Sequence, residues 1–359
     1  MKKYDAIIIG AGQAGIPLAR KLGKAGMRTA IIEQRQIGGT CINDGCTPTK
    51  TMIASAKMAW QAVNSEKWGV KVEKYAVNIQ AVLNRKNEIV ERFRNSATRS
   101  LQKVENIDII IGSASFSDKK VLEIKLNDGG AEMLTAEYIF IDTGTTTRIP
   151  EIEGLETISY LTSTSILDLG VIPEHLLIIG AGYVAMELGQ MYRRFGSRVT
   201  MLEHGPRILP KEDDDVIEAI SKILTDDGIT ILLMAKAKKV RQIADAGFTL
   251  TADVAGEVIS IDCSHILVAP GRRPQTPDLA LDKAGIEIND KGYIKVNEQL
   301  ETNVPGVYAL GEVNGGPAFT HIAYNDHLIG YKILLVASID RLKTGRCPIV
   351  CISIRSLPV

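Results

Sequence analysis

Cys41 and Cys46 lie five positions apart in the stretch Gly38-Gly39-Thr40-Cys41-Ile42-Asn43-Asp44-Gly45-Cys46-Thr47-Pro48-Thr49-Lys50. On one regular helix that spacing would hold the two thiols too far apart and on different faces. Bridging them needs Cα atoms within about 7 Å, so the segment is expected to begin as a turn, which Gly45 permits. Two thiols held in this way can shuttle between dithiol and disulfide, and they read as a redox centre, not a structural staple. The thiolate is the reactive form, and a nearby helix N-terminus would lower the thiol pKa.

A second kind of chemistry is written twice in the chain. Ala6-Ile7-Ile8-Ile9 is a short β-rich apolar run, as expected of a buried parallel strand. It feeds Gly10, Gly12 and Gly15, a helical stretch to about Ala25, and a second strand, Thr29–Ile32, that ends at Glu33. Far downstream, Leu176–Ile179 feeds Gly180, Gly182 and Ala185, a helix to about Phe195, and a strand Arg198–Leu202 that ends at Glu203. The acid falls 23 positions after the first glycine in both copies (10 to 33, 180 to 203).

That spacing has a physical reason. The first glycine makes the tight turn, the second lets backbone approach a pyrophosphate on the helix N-terminus, and the third position must be small. The terminal carboxylate accepts hydrogen bonds from a ribose hydroxyl. Two such units in one chain imply two dinucleotides and an α/β fold with two Rossmann-like domains.

The totals exclude other classes. The 42 basic residues balance 42 acidic ones, so no nucleic acid and no anionic membrane surface is indicated. No apolar run approaches the roughly 20 residues of a membrane span, and Gly10 interrupts the first apolar run where a signal peptide would continue. Five cysteines in 359 residues is too few and odd for a secreted disulfide scaffold, so a cytoplasmic protein is expected.

With the cysteine pair and both fingerprints on the page, the chain resembles the flavoprotein disulfide reductases, a family that includes dihydrolipoamide dehydrogenase, glutathione reductase and mercuric reductase. The wording around Cys41 and Cys46 looks most like the mercuric-reductase-like branch. The resemblance runs from Met1 to about Gly330. It implies FAD on the first fingerprint, held by Gly10, Gly12, Gly15 and Glu33 with Gly39 and Thr40 near the redox pair. It implies a nicotinamide nucleotide on the second, held by Gly180, Gly182 and Glu203. By the same resemblance Cys46 is the thiolate against the flavin, and Cys41 the outer thiol that attacks substrate. Lys50 and Glu187 resemble the ion pair that the family sets near the flavin N5.

Glu203 favours NADH over NADPH, because a carboxylate repels a 2′-phosphate; Arg207, four residues on, leaves a compromise open. Phe140-Ile141-Asp142-Thr143-Gly144 followed by Arg148-Ile149-Pro150 resembles the crossover out of the FAD domain, and Ile266 to Pro274, with Gly271-Arg272, the crossover back. Gly311-Glu312 stands where the family turns beneath the flavin ribityl chain. The expected domains are residues 1–148 and 266–330 for FAD, with 149–265 inserted for NAD(P)H. Residues 60–101 read as long helices joined by a loop.

Three departures stand out. Pro270 replaces the usual threonine of the return crossover and removes a donor; Glu312 replaces the usual aspartate, one methylene longer. Both predict looser FAD binding. Beyond residue 330 the family continues into an interface domain of roughly 100 residues that forms the dimer and lends a His-Glu dyad to the partner. The stretch 331–359 matches nothing in it, and a frameshift between about Tyr331 and Asp340 is the expectation. Cys347 and Cys351 have a metal-like spacing, but no partner ligands stand near them in sequence, and no metal site is expected.

The expected function is electron transfer from NAD(P)H through FAD to the Cys41–Cys46 disulfide, and on to a small-molecule, disulfide or metal-ion substrate. The alternative is a remnant without dyad or dimer that retains at most diaphorase activity.

Overall fold

The computed structural model describes residues 1–243 and 247–335. The chain opens with β1 (Lys2–Ile9), α1 (Gly15–Lys24) and β2 (Thr29–Glu33). Two helices follow, α2 (Gly39–Asn43) and α3 (Cys46–Val63), then the long α4 (Ile79–Gln102). The strands β3 (Ile107–Asp118), β4 (Val121–Leu126) and β5 (Ala131–Ile141) complete this part, and the short β6 (Thr145–Thr147) leads out of it. The βαβ device then recurs as β7 (His175–Ile179), α5 (Tyr183–Phe195) and β8 (Arg198–Leu202), continued by α6 (Asp214–Asp226) and β9 (Thr230–Leu232). After these come β10 (Ala235–Ile243), β11 (Gly247–Val254), β12 (Glu257–Cys263) and β13 (His265–Val268). The return consists of β14 (Arg272–Pro274), α7 (Leu281–Ala284), β15 (Val307–Ala309) and α8 (Thr320–Leu335).

The described chain divides into two compact units. The first comprises Met1–Asn43, Val90–Thr146 and the chain from Arg273 on. Its sheet runs β3-β2-β1-β5-β15 with every neighbour parallel, while β4 pairs antiparallel with the far ends of β3 and β5. Two-residue alternation sorts the strands between two cores. Ile7, Ile9, Ile32, Ile139 and Ile141 face one side. Ile8, Ile31 and Phe140 face the other, where Leu18 and Leu22 of α1 cover them. Leu18 and Leu22 lie four apart on the helix, and Lys21 and Lys24 at its C-terminal end complement the dipole.

The second unit comprises Asp44–Ile89 and Thr147–Arg272. Its parallel sheet runs β13-β7-β8-β9, and β10-β11-β12 form a separate antiparallel meander. Leu177, Ile179, Ile266 and Val268 pack against Val240, Leu250 and Ala252 of the meander. Leu176, Ile178, Val199 and Met201 pack on the other face with Met186, Met191 and Tyr192 of α5. Met52, Ile53 and Ala56 of α3 and Leu83 of α4 join that same core. Residues 44–89, which the family resemblance puts in the first FAD segment, thus pack with the second unit.

The turn expected between the cysteines is present at Asp44-Gly45, but with helix on both sides of it. No described helix is long and apolar enough to cross a membrane. Most of the expected aberrant stretch, with Cys347 and Cys351, lies outside the described residues; Tyr331–Leu335 continue α8.

Candidate functional site

The glycine fingerprints fold as one device used twice. Gly10 takes φ +106° and Gly180 φ +108°. A side chain would also have no room, since a Cβ would stand 2.2 Å from the Asp142 carbonyl oxygen at Gly10 and 2.4 Å from that of Ala269 at Gly180. Only glycine combines that backbone with that approach.

The two acids are held alike. Glu33 accepts from the Ala11 amide at 3.1 Å and the Arg35 amide at 2.8 Å. Glu203 accepts from the Ala181 amide at 3.1 Å and the Gly205 amide at 2.9 Å. Each carboxylate is thus fixed at the mouth of its glycine loop, with lone pairs left for hydroxyl donors.

In the first unit a cavity of about 440 Å³ opens over the first loop. Gly10, Gly12, Glu33, Gly39, Thr40, Cys41, Thr143, Gly144 and Glu312 all line it. Gly15 stands behind the loop, its amide donating to the Asp142 carboxylate at 2.8 Å. Thr143 and Gly144 are tied to Gln275 by three bonds. The Thr143 hydroxyl donates to the Gln275 carbonyl at 3.0 Å, the Gln275 side-chain amide to the Thr143 carbonyl at 2.7 Å, and the Gln275 backbone amide to the Gly144 carbonyl at 3.0 Å. Glu312 accepts from the Thr145 hydroxyl, and Gly311 donates its amide to Asp326 at 2.7 Å. The Thr320 hydroxyl, at the start of α8, lies 3.5 Å from the Cys41 sulfur and donates to it.

The second unit carries the remaining candidates. Cys46 is the first residue of α3, where the helix dipole favours negative charge, and Pro48 sits in that first turn. Lys50 is four residues on, hence on the same helix face. Its ammonium donates to both Glu187 oxygens at 2.7 Å. The Gly182 Cα, at the N-cap of α5, has open space where a Cβ would stand. Gly271 accepts the Arg148 amide at 3.0 Å, and Arg272 opens β14.

Asp326, Thr145, Gln275 and Thr320 have no role assigned from sequence, and Asp142 enters there only as part of the crossover segment. Burial raises the Asp142 carboxyl well above its ordinary value, with Asp326 and Glu33 adding to the rise. Burial likewise pushes Asp326 up to about 6, against the lowering effect of the Gly311 amide. Among the described residues no cluster of three metal-ligating side chains occurs.

Comparison with known proteins finds relatives over most of the chain. Residues 4–326 match the family described as pyridine nucleotide-disulphide oxidoreductase. A protein of Escherichia coli named Probable pyridine nucleotide-disulfide oxidoreductase RclA is 38% identical over 332 residues, 92% of this chain and 70% of its own length. A mercuric reductase of Staphylococcus aureus is 34% identical over 89% of this chain, which spans only 57% of that relative. A dihydrolipoyl dehydrogenase of Geobacillus stearothermophilus is 33% identical, with 89% and 67% covered. The structure of the Cu(II) complex of the HOCl-induced flavoprotein disulfide reductase RclA superposes with a TM-score of 0.84 at 36% identity, covering 93% of this chain and 71% of that one. The chain belongs to the pyridine nucleotide-disulphide oxidoreductase family, with its Rossmann-type α/β fold and its dependence on FAD and NAD(P)H.

Proposed function

We propose that this protein carries electrons from NADH through FAD to the Cys41–Cys46 pair, and from Cys41 to a disulfide or metal-ion substrate. The observation that carries this reading is the lining of one cavity by the first fingerprint, by Glu33 and by Cys41 together.

The residues present fit a dinucleotide. Glu33 offers acceptor lone pairs to ribose hydroxyls, and Gly10 and Gly12 of the glycine loop line the same cavity. FAD, when bound, supplies the two-electron chemistry that links a nicotinamide to a disulfide. Glu203 plays the ribose-binding part for the nicotinamide nucleotide. The neighbouring cation, Arg207, is engaged by Asp214 at 2.6 Å and the Pro210 carbonyl at 3.2 Å, which supports NADH over NADPH.

Following the resemblance, Cys46 exchanges electrons with the cofactor. The Lys50 ammonium, fixed by Glu187, stabilises a thiolate one helical turn away. Cys41 attacks the substrate, its sulfur oriented by the Thr320 hydroxyl. With a disulfide substrate, the Cys41 sulfur bonds to one substrate sulfur and the other leaves as a thiol. Cys46 then displaces the second thiol and closes Cys41–Cys46; reopening the pair would take the two electrons and one proton of a hydride from the next NADH, with the second proton from solvent. With a metal ion, the same two electrons reduce one Hg(II) or two Cu(II). The relatives named for mercury and the Cu(II) complex of RclA support this class.

The test is NADH oxidation by FAD-loaded protein with Cu(II), Hg(II) or a small disulfide offered in turn. The expected result is turnover with at least one of them that is lost in Cys41→Ser. Equal turnover by Cys41→Ser would contradict the proposal.

A further inference from the structure

The cavity over the first glycine loop holds a feature that a diphosphate site would not be expected to tolerate in ionised form. Asp142 follows β5 and is only 9% exposed. Its carboxylate accepts the Gly15 amide at 2.8 Å, at the first residue of the ten-residue α1. The same oxygen lies 2.8 Å from where a Gly12 Cβ would be, and its partner oxygen 3.1 Å from where a Gly311 Cβ would be. A side-chain carboxyl therefore already occupies part of the helix terminus that favours an anion.

The charges around Asp142 do not relieve it. Glu33 reaches it from the end of β2, and Asp326 from α8. Asp326 is 2% exposed, and one of its oxygens is buried with no hydrogen-bond partner. Glu312, in the turn after β15, is held by Thr145. The α1 terminus contributes backbone amides alone, from Gly12 and Gly15. The other charged groups lining the cavity are Arg35, just beyond β2, Lys125 on β4 and Asp278. Seating a dianionic diphosphate here sets two more negative charges beside an acid that is already buried among acids. Neutralising Asp142 is the direct way to lower that repulsion.

We propose that Asp142 makes dinucleotide binding at this site proton-coupled: its carboxylate takes up one proton when a diphosphate-bridged dinucleotide seats on the α1 N-terminus. This rests on the reading of the cavity as a flavin nucleotide site and adds that flavin retention weakens as pH rises. Burial and the neighbouring acids already favour the protonated carboxyl, the same direction in which a seated anion would push it. No net redox change is involved; the proton comes from solvent and returns to it on release.

The experiment titrates flavin-stripped protein with FAD between pH 5.5 and 8.5, following quenching of flavin fluorescence. Calorimetry in two buffers of different ionisation heat counts protons. Wild type is expected to take up close to one proton and to lose affinity with pH, by up to about tenfold per unit where Asp142 titrates. Asp142→Asn keeps an acceptor for the Gly15 amide, and should take up close to none and bind more tightly than wild type at pH 8.5. ADP-ribose, which keeps a bridging diphosphate and has no terminal phosphate to titrate, should reproduce the proton uptake, and adenosine should not. Should Asp142→Asn fail to fold, Asp142→Ser serves, and the wild-type proton count stands without either. FAD binding by wild type with no proton uptake overturns this proposal alone. No FAD binding at any pH overturns it and the flavin reading together.

Discussion

Cys263 places its sulfur 3.6 Å from the Phe248 carbonyl inside the meander, and burial pushes its thiol up to about 12. Cys46, by contrast, is exposed at the head of α3, and Cys41 lines the cavity. Thiolate content governs reaction with iodoacetamide. In reduced protein at pH 8, Cys41 and Cys46 should therefore alkylate readily while Cys263 stays protected until the chain unfolds; peptide mass spectrometry reads each site, and early labelling of Cys263 would contradict this. Glu187 holds Lys50 through both carboxylate oxygens. Glu187→Gln should loosen that cation and slow Cys46 labelling several-fold while leaving Cys41 less affected. Unchanged Cys46 labelling would reduce the ion pair to a packing role. The acids of the first unit show why some of the site escaped the sequence. Glu33 announces itself through its fixed distance from Gly10, whereas Asp142 meets Gly15 across 127 positions, and Asp326 meets Gly311 from another element. No local spacing carries those contacts.

Both βαβ units emerged almost as read, because each rests on short-range signals that reinforce one another. Branched apolar runs form the strands, glycine the turn and a small residue the helix contact, and an acid closes the unit. The strands Thr29–Glu33 and Arg198–Leu202 and the helix Tyr183–Phe195 fall within a residue or so of expectation. The meander was harder to read. A register shift between Ala237 and Lys239 interrupts the two-residue alternation of β10, so its buried face is not continuous in sequence. Likewise most of α3 lies ahead of the helices read over residues 60–101, and its membership of the second core depends on Met52 and Ile53 meeting Met186 and Tyr192, which only the fold reveals. At this scale the glycine loop makes a sharp prediction. Gly10→Ala forces a side chain against the Asp142 carbonyl at a φ of +106°. Backbone strain alone is worth about 1–3 kcal/mol, and the contact adds to it. Chemical denaturation should register a loss of at least that size, with flavin binding abolished; a variant as stable as wild type would mean the loop relaxes freely.

For the molecule as a whole, two buried acids with raised pKa values tie stability to pH in the opposite sense from a salt-bridged carboxylate. The folded chain holds its Asp326 proton up to about pH 6, whereas the ordinary value is 3.8. Below 3.8 that contribution is fully present; it is lost as pH rises through about 6, because the native state binds more protons than the unfolded one in that window. A shift of this size corresponds to about 3 kcal/mol at most. The difference in melting temperature between Asp326→Asn and wild type should be near zero at pH 4 and reach several degrees in favour of the variant by pH 7; a difference independent of pH would refute the assignment. The central claim is a relay that ends on two cysteines. It is tested most directly by anaerobic NADH titration of FAD-loaded protein, with alkylation of Cys41 and Cys46 followed at each addition. The account predicts that oxidised wild type consumes one NADH equivalent more than Cys41→Ser, and that both thiols become alkylatable as that equivalent is used. Equal consumption by the two proteins, with the wild-type cysteines unchanged, would contradict it.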